Sequence, residues 1–287
     1  MHTYSQFKKS EEQVSDVADM VRTIEKIAAS RLHLMTQELA ALDMYKSELA
    51  RALIGLSLRK SFFHPLLQAH PDGKTILVAI GGDHGLVGGL HLRLMNYYLD
   101  HKSEYQTVVV VGRQMKELLE QEHVHIERFF EGLPDDMDVG AVSRVTQFIF
   151  DMYRDAGISR VDILFAKYLS LAQQKPEFSQ FLPFRFDREA IAQNETLPKS
   201  DDEGLPIYEP SRERVFRRFL EMYIQISFYH TSLEGKLSEL SSRTIEMEHA
   251  AKKADEMILQ YRHDYVKRRR MDATLKQLAS FAVSQMI

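Results

Sequence analysis

Residues that break helices are confined to the middle of this chain. From Met1 to Ile54 there is no glycine, and the first proline is Pro65. From Ser211 to Ile287 there is no proline and one glycine, Gly235. The segment between holds all eight prolines and every other glycine. Proline removes a backbone donor and glycine costs the most backbone entropy, so their distribution maps architecture. The pattern predicts a rod helix over residues 1–60, a central body over 61–210 and a second rod over 211–287 that pairs with the first.

Apolar periodicity supports both rods. In heptads counted from Val14, the first positions are Val14, Val21, Ala28, Met35, Leu42, Leu49 and Leu56, all apolar. A companion series at Val17, Ile24, Arg31, Glu38, Tyr45 and Ala52 is mixed. The C-terminal seam runs Leu240, Met247, Ala254, Tyr261, Arg268, Leu275 and Ala282. Its companions are Leu237, Thr244, Ala251, Ile258, Tyr265, Asp272, Ala279 and Met286. Seams of this spacing mark paired helices. Helices over Phe7–Leu58 and Ser211–Met286 would measure roughly 75–80 Å and 110 Å. Laid antiparallel, the longer leaves its C-terminal tip unpaired, with Gly235 as the one candidate for a bend.

The middle reads as alternating strands and helices. Strands are expected at Lys74–Ile80, Thr107–Val111, Val161–Tyr168 and Phe178–Phe186, with helices at Leu90–Leu99, Arg113–His123 and Asp138–Ala156. Such alternation implies crossover units and a mostly parallel, Rossmann-like sheet. Asn194–Pro210 reads as a loop into the last helix. The fold class is therefore α/β, with a long antiparallel coiled coil added.

Signals for chemistry are sparse. The turn Gly81–Gly89 follows a strand and opens a helix, where phosphate-binding loops sit. It matches neither G-x-G-x-x-G nor a P-loop, so Gly82, Asp83, Gly85, Gly88 and Gly89 read first as a structural turn. The competing reading is an enzyme taking a nucleotide or phosphorylated ligand at this loop. His123-x-His125 supplies two ligands at most, so no metal site is expected. There is no G-x-S-x-G, and cysteine is absent, which removes thiol nucleophiles and thiolate zinc sites. The net charge of −4 argues against a general nucleic-acid partner. The basic run Lys267–Arg270 spans one helical turn and reads as a solvated collar or as a contact with acidic loops of a surrounding partner. No apolar run approaches membrane-spanning length, so a membrane role is expected only through partners.

Three ordered blocks resemble the gamma subunit of F-type ATP synthases. Ile24-Glu25-Lys26-Ile27-Ala28-Ala29-Ser30-Arg31 resembles A-M-E-M-V-A-A-S-K. Gly82-Asp83-His84-Gly85-Leu86-Val87-Gly88-Gly89-Leu90 resembles S-D-R-G-L-C-G-G-L-N, and Lys175-Pro176 with Phe181-Leu182-Pro183 resembles K-P…L-L-P. Ser238-Glu239, Arg243, Met247, Ala250 and Ala254 resemble S-E…R-M-x-A-M…A…A. Tyr265, Lys267, Arg269 and Thr274 resemble Y-N-K-x-R-Q-x-x-I-T-x-E.

The resemblance implies a central rotor shaft inside a ring of three alpha and three beta subunits, with the α/β domain against epsilon and the c-ring. It implies no catalytic residue, no cofactor and no metal, and a place at the cytoplasmic face of the bacterial inner membrane. Contacts with the ring would fall on Ile24, Lys26, Arg243, Arg269, Arg270, Thr274 and Lys276. Some family residues are replaced. Gly82, His84, Val87 and His91 stand for Ser, Arg, Cys and Asn, Val266 and Arg270 for Asn and Gln, and Lys276 for Glu. These changes imply a divergent gamma, matched to its own ring, of the kind found in an alternative bacterial F-type ATPase. The lack of cysteine excludes the thiol-regulated plastid type.

Overall fold

The computed structural model describes residues 4–57, 63–68, 70, 73–134, 137–155, 157–185 and 208–284, with backbone alone at 155 and 282–284. Two helices dominate, α1 (Tyr4–Ser57) and the last helix (Arg212–Ser284). Between them come β1 (Lys74–Ile80), α2 (Leu90–Leu99), β2 (Thr107–Val111), α3 (Arg113–Gln121), β3 (Ile126–Phe130), α4 (Val139–Asp155), β4 (Ile158–Ser170) and β5 (Gln173–Leu182). The last helix is therefore α5. Much of the loop expected over 194–210, the strand end at Phe186, the helix ends at Leu58 and Ala156, and the seam position Met286 lie outside the described residues. The chain divides into two compact units, one of residues 1–30 with 243–287 and one of residues 31–242.

The first unit is a pair of antiparallel helices. Arg22 pairs with Asp255, Glu11 accepts from Arg262 Nε at 2.6 Å, and the Tyr4 and Tyr265 rings meet edge-on at 6.2 Å. Ala28, Met247, Ala251 and Ala254 are buried, and the three alanines leave room for the two backbones to approach. The α5 seam follows the expected spacing through Thr244, Ile258, Tyr261, Tyr265, Arg268 and Asp272, all at least half-buried. From Ala273 to Phe281 every side chain is exposed.

One expectation for α1 needs correction. The Val14 series does turn inward, but Val17 is 55% exposed. Its companion is Ala18, fully buried, four residues on rather than three. The same offset continues in the second unit, where Leu32, Leu39 and Leu53 accompany Met35, Leu42 and Leu56, while Arg31, Glu38 and Tyr45 face out. A 4-3 alternation fits a helical seam as well as 3-4, so the first series alone left the phase open.

The second unit is built on a five-stranded sheet of order β3-β2-β1-β4-β5. The first four strands run parallel and β5 returns antiparallel along β4. One face of the sheet packs Leu77, Ala79, Val108, Val110, Leu164 and Ala166 under α2 and α3. On the opposite face Phe181 lies between Phe150 of α4, parallel to it, and Phe228 of α5, tilted to it, while Gly235 lies beside Ile80 and Phe165. Burial on both faces explains the continuous apolar runs of β1 and β2.

Three strands differ from the sequence reading, β4 by running from Ile158 to Ser170 rather than over Val161–Tyr168. β3, Ile-Glu-Arg-Phe-Phe, went unread because an edge strand can carry charge outward and shows no apolar run. β5 begins five residues before Phe178 and contains Pro176, opposite Ala166. A proline lacks a ladder donor, which an edge strand tolerates.

Several polar groups buried in this unit are held by named partners. Asp162, fully buried in β4, accepts from Tyr105 Oη at 3.0 Å and from Arg160 Nε at 2.8 Å. Arg212, at the start of α5, donates to the carbonyls of Gly55 and Leu56, which end α1. This satisfies acceptors that a helix C-terminus otherwise leaves open.

Candidate functional site

Any site must be sought first at the C-terminal ends of the parallel strands, where open α/β sheets bind ligands. The glycine-rich turn stands there, and its polar groups are engaged by the protein. The Gly81 N–H donates to Val111 O at 2.8 Å, and the Gly82 N–H donates to His91 Nε2 at 3.0 Å. Accepting at Nε2 leaves the imidazole proton on Nδ1. Asp83 Oδ1 accepts from the backbone N–H of Arg113 at 2.8 Å and of Gly132 at 2.9 Å. It thereby caps α3, whose preceding residue is a glycine with no side chain for the task. Val87 O accepts from Ser242 Oγ of α5 at 2.8 Å, and Gly88 O from Arg93 Nη1 at 3.1 Å. Gly88 and Gly89 carry positive φ, and Gly85 has no side-chain neighbour closer than 4.0 Å to where a Cβ would stand.

Helix α5 fills the crevice that a ligand would need. A Cβ on Gly82 would stand 2.5 Å from the Glu239 carboxyl group, so a side chain there would displace that carboxyl group. Glu239 and Lys236 form an ion pair at 3.2 Å and both are buried. The remaining cavity, lined in part by Gly82, His91, Lys236 and Glu239, measures about 20 Å³. Small-molecule pockets run from roughly 300 Å³ upward. A phosphorylated ligand therefore has no room between the turn and α5; the larger clefts beside the turn, about 380 Å³ along Gly85–Gly89 and about 660 Å³ at Asp83 and His84, are open to solvent and lie outside this crevice.

A second polar cluster ties α1 to α5 beside the β4–β5 hairpin. His230 Nε2 lies 2.8 Å from Asp43 Oδ1, and its Nδ1 lies 3.7 Å from Glu234 Oε2. Lys167 pairs with Glu177 at 2.9 Å. Burial lowers the pKa of His230, and Lys46 and Lys167 lower it further, against the opposing pull of Asp43. Burial likewise lowers Lys46 and raises Glu234. His64, whose Nδ1 accepts from the Leu66 N–H at 3.3 Å, is also lowered by burial.

A pH dependence follows from the two histidines. In the unfolded chain each titrates near ~6.5. In the folded chain each binds its proton only at lower pH, so the unfolded state takes up more protons between those values. Stability therefore falls as pH drops from about 7 toward the folded-state values. Acid relieves the cost of burying the Glu234 carboxylate, so single variants are needed to isolate the histidines. Thermal melts at pH 7.5 and 5.5 are expected to show a smaller acid-induced drop in Tm for His64→Asn, which keeps a capping acceptor, and for His230→Gln. An unchanged drop in both variants contradicts the assignment.

The residues singled out for ring contact all fall in the first unit, in two groups. Lys26 is exposed, Ile24 is half-buried, and Arg243 is only 8% exposed. Arg269, Arg270, Thr274 and Lys276 are exposed on α5, and Thr274 Oγ1 donates back to Arg270 O at 3.0 Å. Along α5 about 39 Å of helix separates Arg243 from Arg269, so the structure does not gather them into one site. Residues 262–276 carry six cations against two carboxylates. The cross-helix partners Tyr4, Glu11, Arg22, Asp255 and Arg262 were not anticipated, since no local signal gives the register between distant helices.

A family model described as ATP synthase matches residues 4–275. The ATP synthase gamma chain of Dehalococcoides mccartyi is 30% identical over 254 residues, covering 85% of each chain. The chain belongs to the ATP synthase gamma family. The gamma chain of Methylacidiphilum infernorum is 24% identical over 301 residues and covers 99% of each chain. The fold is also that of a chain in the Euglena gracilis mitochondrial ATP synthase, with a TM-score of 0.66 at 14% identity, covering 98% of this chain and 93% of that one. Its function is accordingly that of the gamma central stalk of an F-type ATP synthase, a subunit of the complex. Among the described residues no helix is long and apolar enough to cross a membrane.

Proposed function

We propose that the chain works as a shaft with no catalytic residue of its own, turning within three alpha and three beta subunits. The observation that carries this reading is the end of the α5 seam. After Asp272 the helix continues to Ser284, exposing Leu275 at 58%, Leu278 at 60% and Phe281 at 69%. Consecutive exposed apolar turns on one helix mark a surface that a partner covers. Arg269, Arg270, Thr274 and Lys276 share this segment and are assigned to the same contact. Ile24, Lys26 and Arg243 are assigned to the ring as the resemblance gives them. The functional segments are 1–60 and 211–287 as the paired helices and 61–210 as the body that meets epsilon and the c-ring. Attachment to the cytoplasmic face of the bacterial inner membrane is then peripheral, through the complex.

Co-expression tests the reading. A tagged copy of the chain is expected to bring down alpha and beta, and its omission to abolish coupling between ATP hydrolysis and ion movement. A ring that assembles and couples normally without it overturns the proposal. Charge reversal at Arg269 and Arg270 gives a finer test. Both side chains are exposed, so folding stability is expected to change by less than about 0.5 kcal/mol. Coupling efficiency, measured as ions moved per ATP hydrolysed, is expected to fall well before the Tm does.

A further inference from the structure

The small cavity under α5 contains a hydroxyl with no partner. Ser232 is 1% exposed, and its Oγ makes no hydrogen bond within the protein. An unmet buried hydroxyl costs about 1–3 kcal/mol, so such groups are normally satisfied, by ordered water if not by protein. Ser232, Gly235, Lys236 and Glu239 are spaced i, i+3, i+4 and i+7, which places them on one face of the helix. All four line the cavity, opposite Gly81 and Gly82 at the end of β1 and His91 in the first turn of α2.

We propose that this cavity is a binding site for one internal water molecule, held by Ser232 Oγ and the Lys236 ammonium. Size decides the class of ligand. At about 20 Å³ the space exceeds the roughly 10–15 Å³ that a single water requires and admits nothing larger. Chemistry agrees with size. Internal waters make about three hydrogen bonds, and this cavity offers a hydroxyl that can donate or accept, an ammonium and a carboxylate. A metal cation is disfavoured by the ammonium of Lys236, and an anion by the carboxylate of Glu239. The water stands in the crevice where related sheets hold ligands, and it completes the hydrogen bonding of a helix that has taken the ligand's place. This inference is independent of the proposed rotor contacts.

Density at about 1.8 Å or better for the full chain, alone or in its complex, tests the site. The expected result is one peak at about 2.6–3.2 Å from both Ser232 Oγ and Lys236 Nζ. Ser232→Val adds methyl groups that fill the space, and the peak is expected to vanish. In solution, ¹⁷O magnetic relaxation dispersion is expected to count one long-lived water fewer in Ser232→Val than in the parent. An empty cavity with the Ser232 hydroxyl turned onto the Phe228 carbonyl overturns the proposal. So does a bromide signal at the site after halide exchange, or an unchanged water count in Ser232→Val. If that variant does not fold, the parent density alone decides between these outcomes.

Discussion

Replacing Gly112 with alanine is expected to cost about 4 kcal/mol or more, enough to unfold the α/β body of many marginally stable proteins. Gly112 joins β2 to α3 with a φ of +103°, a conformation that side chains rarely adopt. A Cβ there would stand 2.2 Å from Gly81 O and 2.5 Å from Gly81 C. Both obstacles are backbone, so no rotamer change relieves them. Moving β1 away would break the 2.8 Å bond from the Gly81 N–H to Val111 O and the 3.1 Å bond from the Gln114 N–H to Gly82 O. Shifting Gly112 instead would strain the 2.9 Å bond from its own N–H to Phe130 O. Gly85→Ala is the matched control, since its Cβ would meet nothing closer than 4.0 Å. Urea unfolding should separate the two by several kcal/mol. Equal stability would show that the β2–α3 junction can yield.

Glu239→Ala is expected to destabilise the fold by about 3–5 kcal/mol, because it removes the carboxylate 3.2 Å from a buried ammonium. Lys236 and Glu239 side chains are 7% and 5% exposed, so a water replacing the carboxylate would leave the ammonium's charge unpaired in a buried place. The double variant Lys236→Met/Glu239→Leu is expected to recover most of the loss. Exchanging a whole buried ion pair for apolar side chains of similar size is often neutral or better. Calorimetric melts of the two variants and the parent measure this. A double variant as unstable as Glu239→Ala would mean that the carboxylate acts through the neighbouring Gly82 backbone rather than through Lys236.

Much of this architecture could be read from residue order, and the gaps have physical causes. The long helices follow from the exclusion of glycine and proline, and β1, β2 and α2 fall where their apolar runs begin and end. β3 escaped notice because Glu127 and Arg128 face solvent from an edge, where alternation no longer signals burial. β5 was entered late because Pro176 reads as a stop unless the strand is known to lie at an edge. At the glycine turn, the residue types pointed to close packing, but nothing local announced that Glu239 supplies the opposing surface more than a hundred residues later. The burial of Arg243 was equally hidden. A basic residue on a charged helix reads as solvated until the facing helix is placed.

The grip of Arg212 on the carbonyls of Gly55 and Leu56 has an architectural corollary. It brings the exit of one long helix and the entrance of the other to within a side chain's length. The two long helices thus meet at one narrow doorway, with the sheet encoded between them. Chain inserted or deleted between those points need not move either doorpost, so relatives can enlarge or trim the body while the helices keep their starting positions.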